Sequence, residues 1–299
     1  MALSSEEISL AYRLVLNRQP SEAEIAHMSA HYRDVAGLRT MLLISDEFVA
    51  KYAALQRERA AQRRPALVHV HVPKTGGTTL AEALSHETHL MPNAVYHDHM
   101  LGELAALPSV RRNALRYIRG HLNMGAGEAL GASYRNLVVI RRAGPRIHSF
   151  FRFIRRNAGH PSHQEVSRLG FGDYLEYSLD HPAHRIEIDN GQLRRLAGKL
   201  GEQRFDRPDG YLRQALFNVL QPGTIFGFTE HMDALLRQLH DEGFLSSATI
   251  DNHNVAPAGA PFEAVLEGLS ADQRQLFDDF TAWDDYFYDL CMALMPPAP

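Results

Sequence analysis

Cysteine is nearly absent: Cys291 stands alone among 299 residues. A single thiol excludes an intramolecular disulfide and fits a chain at home in a reducing cytoplasm. Long apolar runs are missing as well, and no window reaches the roughly 20 apolar residues needed to span a bilayer. The opening "MALSSEEISLAYRLVL" has neither a basic n-region nor an uninterrupted apolar core, so no signal peptide is expected. There is little excess of either charge. A formal net charge of -4 argues against a nucleic-acid partner held by bulk charge. Internal repeats and low-complexity segments are absent apart from the "PPAP" tail. What is present is an ordinary globular composition, 45% hydrophobic, with enough apolar residues for a sizeable core.

Two textures divide the chain. The first fifty residues read as a small helical unit. Ser4 with Glu7, and Ser21 with Glu24, have capping-box spacing, and Ser45 followed by Asp46 and Glu47 offers a third helix start. Ile8, Ala11 and Val15 share one helix face, and Ile25, Met28 and Tyr32 share another. The polar, basic "LQRERAAQRRP" (55–65) loses that stripe and reads as a linker, which places the domains at 1–62 and 63–299. Beyond it, short apolar strands at 67–72, 136–140 and 224–228 alternate with helices at about 75–85, 145–156 and 230–241. This alternation predicts an α/β domain with a parallel sheet covered on both faces. In the last helix Leu276, Phe280, Trp283, Phe287 and Leu290 recur at helical spacing and read as core.

"HVPKTGGTTL" (71–80) carries the chemistry. Gly76 and Gly77 let the backbone turn its N–H groups toward an anion. Thr78 and Thr79 open a helix whose N-terminus favours a phosphate, and Lys74 adds a full charge beside it. A nucleoside-triphosphate loop of the usual kind places Lys-Ser/Thr after its glycines, where the hydroxyl meets magnesium. Here the lysine comes first, and the 136–140 strand runs into Arg141 and Arg142 with no carboxylate at its end. The loop therefore reads as an anion site worked by cations and backbone, and no metal is expected.

Further along, "RGHLNMG" (119–125), "VVIRRAGPRIHSFFRF" (138–153), "DNGQLRRLAG" (189–198) and "FGFTEHMDALLRQL" (226–239) follow in order. Together with the loop they resemble sulfotransferases that use 3′-phosphoadenosine 5′-phosphosulfate (PAPS), and most of all the carbohydrate branch that includes heparan sulfate 2-O-sulfotransferases. The likeness spans about 67 to 292. It implies a P-loop-like central sheet and transfer of a sulfuryl group from PAPS to a hydroxyl of a carbohydrate or glycolipid acceptor.

On that resemblance Lys74, Thr75, Gly76, Gly77, Thr78 and Thr79 hold the 5′-phosphosulfate end. Arg141, with Ser149 eight positions on, holds the 3′-phosphate, and Arg146 is either a second phosphate contact or a solvent-exposed helix residue. Lys74 would also steady charge on the bridging oxygen, and His121 in the Gly-His segment would be the base. The histidines of "YHDHM", His97 and His99, are the rival base or an acceptor contact. A zinc reading of that pair lacks a third ligand at metal spacing. His69 and His71, on one face of the first strand, read as packed. Asn190, Gln192 and Arg194 are expected to bind the acceptor, and 86–118 and 155–185 to form acceptor loops. One departure stands out: the family's Asp-Pro after the motif arginine is Arg142-Ala143 here. A kinase using ATP, or a binding protein that has lost turnover, remain the other readings.

The N-terminal pattern Tyr-Arg-x-x-Leu-x-Arg-x-Pro-x-x-x-Glu, closed by Ser-x-Glu-Phe, resembles a short helical domain of unknown function found beside bacterial glycan-modifying enzymes (DUF4214). That likeness hints at a bacterial source and a docking role.

Overall fold

The structure, a computed structural model, describes residues 3–52, 65–198, 205–249, 262–295 and 297. It divides into two compact units, Met1–Arg64 and Pro65–Pro299. Of the stretch read as a linker, only Pro65 belongs to the described residues.

In the first unit, helices Ser5–Leu16, Glu22–His31 and Val35–Ile44 are followed by helical residues 46–52. Ser4 and Ser21 both close full capping boxes, satisfying amides that a helix leaves open at its start. The Ser45 hydroxyl accepts the Phe48 N–H at 3.2 Å. The Val35–Ile44 helix was not expected. Its cap is Asp34, accepting the Gly37 N–H at 2.8 Å, and glycine rather than Glu or Gln stands three residues on, so no box marks it. Ile8, Tyr12, Leu16, Leu38 and Leu42 form the core of the unit. Beside them Arg18 forks to Glu24 at 2.6 Å and Glu47 at 2.7 Å, with its guanidinium 5.1 Å from the Tyr12 ring centre. Tyr12, Arg18, Glu24 and Glu47 of the quoted pattern are thus one contact group.

The second unit is built on five parallel strands, β1 (Ala66–Val70), β2 (Asn93–Val95), β3 (Tyr117–Gly120), β4 (Tyr134–Ile140) and β5 (Thr224–Phe228), in the order β2-β3-β1-β4-β5. Successive residues face opposite sides, so both faces are apolar. Leu67, Leu137, Val139 and Ile225 pack under Leu80 and Leu84 of helix Gly77–His86 and Leu235, Leu236 and Leu239 of helix Met232–Asp241. Val68, Val70, Ile118, Val138 and Ile140 pack against Ala215, Phe287, Tyr288 and Cys291. Each such side chain, fully buried, contributes about 1.5–3 kcal/mol.

β2 and β3 fall in a region expected to be mostly an acceptor loop (86–118), and neither was expected as a strand. The other acceptor candidate, 155–185, is largely helical, with Phe171–Leu179 and the start of Pro182–Ile188. The terminal helix runs from Ala271 to Leu294, and Phe280 and Phe287 of its expected stripe are buried. Leu276, Trp283 and Leu290 are only half-buried, while Phe277, Asp284 and Cys291 go inside. A carboxylate in the middle of an apolar stripe bears directly on the site below.

Candidate functional site

In a parallel sheet every strand delivers its carboxyl end to one edge, where the loops form a crevice. That edge receives 71–76 from β1, His97 and Asp98 after β2, His121 after β3, Arg141 after β4 and Thr229 after β5.

The loop after β1 is held in an uncommon shape. Lys74 has φ 70° and Gly76 φ 80°, both left-handed, and for lysine this region is uncommon. The Thr75 hydroxyl donates to the Val72 carbonyl at 2.8 Å. The Thr229 hydroxyl lies 2.9 Å from the Thr75 carbonyl oxygen and 3.1 Å from that of Ile140, bridging the loop to β4. Thr75 is fully buried, so its side chain shapes the loop instead of facing a ligand, whereas Thr78 is exposed and Thr79 half-buried. Gly77 packs so closely on the His71 ring that an added Cβ would lie 2.2 Å from it. The Gly77–His86 helix begins at Gly76 with no side-chain cap, leaving its first amides for an anion.

Two cations flank that helix start. The Lys74 ammonium sits 4.5 Å from the Phe153 ring centre; burial, and then the charges of Arg156 and Arg141, lower its pKa. Arg141 donates from Nη1 to the Lys74 carbonyl at 3.3 Å, and burial lowers its pKa while nearby Glu230 opposes the shift. Among the described residues neither cation forms an ion pair with a carboxylate. Ser149, half-buried on helix Ala143–Arg156, makes no hydrogen bond from its hydroxyl to another described residue.

The departure at 142–143 is closed from outside. The Ala143 N–H donates to Asp285 of the terminal helix at 2.9 Å, and the Arg142 N–H to Glu230 at 3.3 Å. The Arg142 guanidinium binds Asp289 at 2.5 Å and lies over the Tyr288 ring. Arg146 is fully buried, donating to the Glu187 carbonyl at 2.8 Å with Asp284 at 3.4 Å. The solvent-exposed reading of Arg146 is therefore overturned, because its guanidinium is enclosed and engaged by protein groups.

His121 lies in a row of imidazoles, with ring centres 5.3 Å from His71 and 5.5 Å from His97; His99 continues it 5.8 Å from His97, and His69 lies 5.3 Å from His71. The rival bases are therefore neighbours. His121 is exposed toward the cleft, yet protein atoms surround part of its ring, and that partial burial lowers its pKa against an upward pull from Glu187. A base that is neutral at pH 7 results. Full burial pushes His69 down to about 3, and burial places His71 well below the ordinary histidine value. Asp98 accepts the Asn123 N–H at 2.7 Å and so anchors the turn after His121. Gly120 just before it runs against the Tyr96 carbonyl, where a Cβ would come within 1.7 Å.

The expected acceptor residues take a different task. Asn190, Gln192 and Arg194 are all buried, at 1%, 0% and 2% exposure. Asn190 donates from Nδ2 to the Asp279 carbonyl at 3.1 Å and accepts the Trp283 and Asp284 N–H groups at 2.9 and 3.1 Å. Arg194 pairs with Asp189 at 2.9 Å. Gln192 grips the Arg141 peptide, accepting its N–H at 3.0 Å and donating to its carbonyl at 2.8 Å. Gln192 thus supports the cleft from behind, while Asn190 and Arg194 line a cavity with Asp189, Phe205 and Trp283. Asp284 and Asp285, on which Gln192 and Ala143 depend, were missed in the sequence; the available signal was an acidic pair interrupting the stripe of the last helix.

Among the described residues no group of three or more His, Cys, Asp or Glu is arranged to hold a metal ion, and no helix is long and apolar enough to cross a membrane. The class established is an α/β protein with an all-parallel five-stranded sheet and a cationic, histidine-lined edge. No protein-family model and no curated protein matches the chain.

Proposed function

We propose that the chain is a PAPS-dependent sulfotransferase acting on a carbohydrate or glycolipid hydroxyl, its large unit P-loop-like. One observation carries the reading: an uncapped helix N-terminus flanked by Lys74 and Arg141, neither in an ion pair among the described residues, with His121 on the same edge. Such an edge suits a dianionic nucleotide end, because cations without carboxylate partners keep their full charge for it.

The residues fit the donor in two groups. The loop amides with Thr78 and Thr79 bind its 5′ end, and Arg141 with Ser149 its 3′-phosphate. When bound, PAPS supplies a sulfuryl group already joined to a good leaving phosphate. Lys74 stabilises the negative charge that grows on the leaving oxygen as its bond to sulfur breaks. His121, neutral at pH 7, takes the proton of the acceptor hydroxyl as that oxygen bonds to sulfur. The lone Cys291, buried, agrees with a cytoplasmic site of action. The first unit, with the Arg18 contact group at its centre, is assigned to docking, as in the bacterial glycan-modifying context its pattern resembles.

Thermal melting with saturating adenosine 3′,5′-bisphosphate, set against ADP with magnesium, tests the donor. A ligand at a hundred times its Kd adds about 2.7 kcal/mol to stability. A shift with the bisphosphate alone is expected; a shift with magnesium ADP alone would overturn the reading in favour of a kinase. Nucleotide binding without transfer to any of a broad set of glycans would leave a binding protein.

A further inference from the structure

Resting on the nucleotide reading above, we propose that Gln192 is a positioning residue for the 3′-phosphate arm, setting the Arg141 peptide from a support centred on Asp284. Gln192 accepts the Arg141 N–H at 3.0 Å and donates to the Arg141 carbonyl at 2.8 Å. Its amide thus acts on Arg141 as a neighbouring strand would, at the point where β4 has ended and no strand residue remains to pair. With both peptide groups fixed, the guanidinium leaves from a defined base, and its Nη1 reaches the Lys74 carbonyl at 3.3 Å. The same clamp therefore bears on the anion loop.

Gln192 is itself held. Asp284 accepts the backbone N–H groups of Gln192 at 3.2 Å and Leu193 at 2.7 Å, occupying the start of the short helix Gly191–Leu196. Arg146, 3.4 Å from the same carboxylate, offsets its charge. Asn190 in the left-handed region, φ 51°, turns the chain so that its own side chain and that of Gln192 reach different partners. A leucine or methionine would fill the buried volume at 192 without any need for partners. Burying an amide costs free energy unless its groups are bonded, and here the two shorter bonds go to the N–H and carbonyl of the residue that bears the cation, with a third contact to Asp284 at 3.5 Å.

The experiment is a titration of adenosine 3′,5′-bisphosphate and of adenosine 5′-monophosphate into the full chain, as wild type, Gln192→Met, Arg141→Ala and the double variant. Gln192→Met keeps the volume and loses both bonds. It is expected to weaken the bisphosphate roughly tenfold, to change the monophosphate less than about twofold, and to add little in the Arg141→Ala background. Equal weakening of both nucleotides, or of neither, while Arg141→Ala weakens the bisphosphate, overturns the positioning role alone. If Arg141→Ala leaves the preference for the bisphosphate untouched, the nucleotide reading itself fails. Should Gln192→Met not fold, Asp284→Asn, which keeps the acceptor for Leu193, replaces it; the same selective loss supports the role and its absence overturns it.

Discussion

At the scale of single residues, the proposed transfer turns on His121. His121→Ala is expected to lower kcat by about 10²–10⁴ while leaving binding of adenosine 3′,5′-bisphosphate unchanged. Its pKa is held down by partial burial, so the wild-type rate should stay level near neutral pH and fall only below the ordinary histidine value of 6.5. Rates across about pH 5–8 check this, and a fall already at neutral pH would count against the assignment. Gly120→Ala sets a Cβ against the backbone carbonyl of Tyr96, which cannot swing aside as a side chain can. A loss of about 1–3 kcal/mol in thermal unfolding is expected, with His121 displaced. The Cys291 thiol, pushed up to about 12 by burial, should resist alkylation until the chain is unfolded. The positions of Lys74 and Arg141 at the sheet edge were legible because each follows an expected strand, whereas His121 was named only through the resemblance of its Gly-His segment. Gln192 was named as an acceptor contact, and its link to Arg141 and Asp284 was not legible, since the carboxylate lies 92 positions away and only the fold joins them.

At the scale of elements, the first unit is held by its core and by the Arg18 fork. Arg18→Ala leaves Glu24 and Glu47 facing each other and is expected to cost about 1 kcal/mol, discounted because the guanidinium is 32% exposed. The bonds to Arg18 hold both carboxyls at about 2, below the ordinary 4.5. Their contribution is therefore present above 4.5 and lost as pH falls toward 2, which circular dichroism of the full chain would follow through its helical signal. The helix starts here were legible where a capping box, or at Ser45 a following acidic pair, marked them, and the one capped by Asp34 with neither was not. The sheet shows the same limit. β1, β4 and β5 announce themselves as apolar runs, but β2 has three residues and β3 carries Arg119 and Gly120 in a run of four. Strands that short gain their stability from the strands they pair with, β3 for the edge strand β2, and periodicity has too few residues to register.

At the scale of the whole molecule, buried histidines set an acid limit. Desolvation lowers His69 to about 3 and His184 to about 4, and lowers His71, His121, His148 and His160 as well. The His184 ring contacts Tyr174 and Ser162, with the like charges of His160 and His181 adding to its shift and Glu165 opposing. The unfolded chain takes up protons on these rings near 6.5 while the folded chain does not. Stability is thus full above 6.5 and declines toward 4, by about 1 kcal/mol per pH unit for each fully buried ring. Asp284, raised to about 6 by burial, works the other way, since the folded form binds its proton first. Asp285, also raised by burial, acts in the same sense, and six rings outweigh two carboxyls. A urea midpoint clearly lower at about pH 5.5 than at pH 7.5, with an unchanged slope, is the expected result, and equal midpoints would refute it.

The terminal helix has one more implication. Because residues 284 and 285 supply the acceptors for Gln192, Leu193 and Ala143, the arms around Arg141 have no support until that helix has been made. On the ribosome, β1 through β5 emerge first, and a nascent chain that has reached Phe228 has every strand but an unbraced cleft. Binding of the proposed nucleotide should therefore arrive late in synthesis, once the terminal helix has formed.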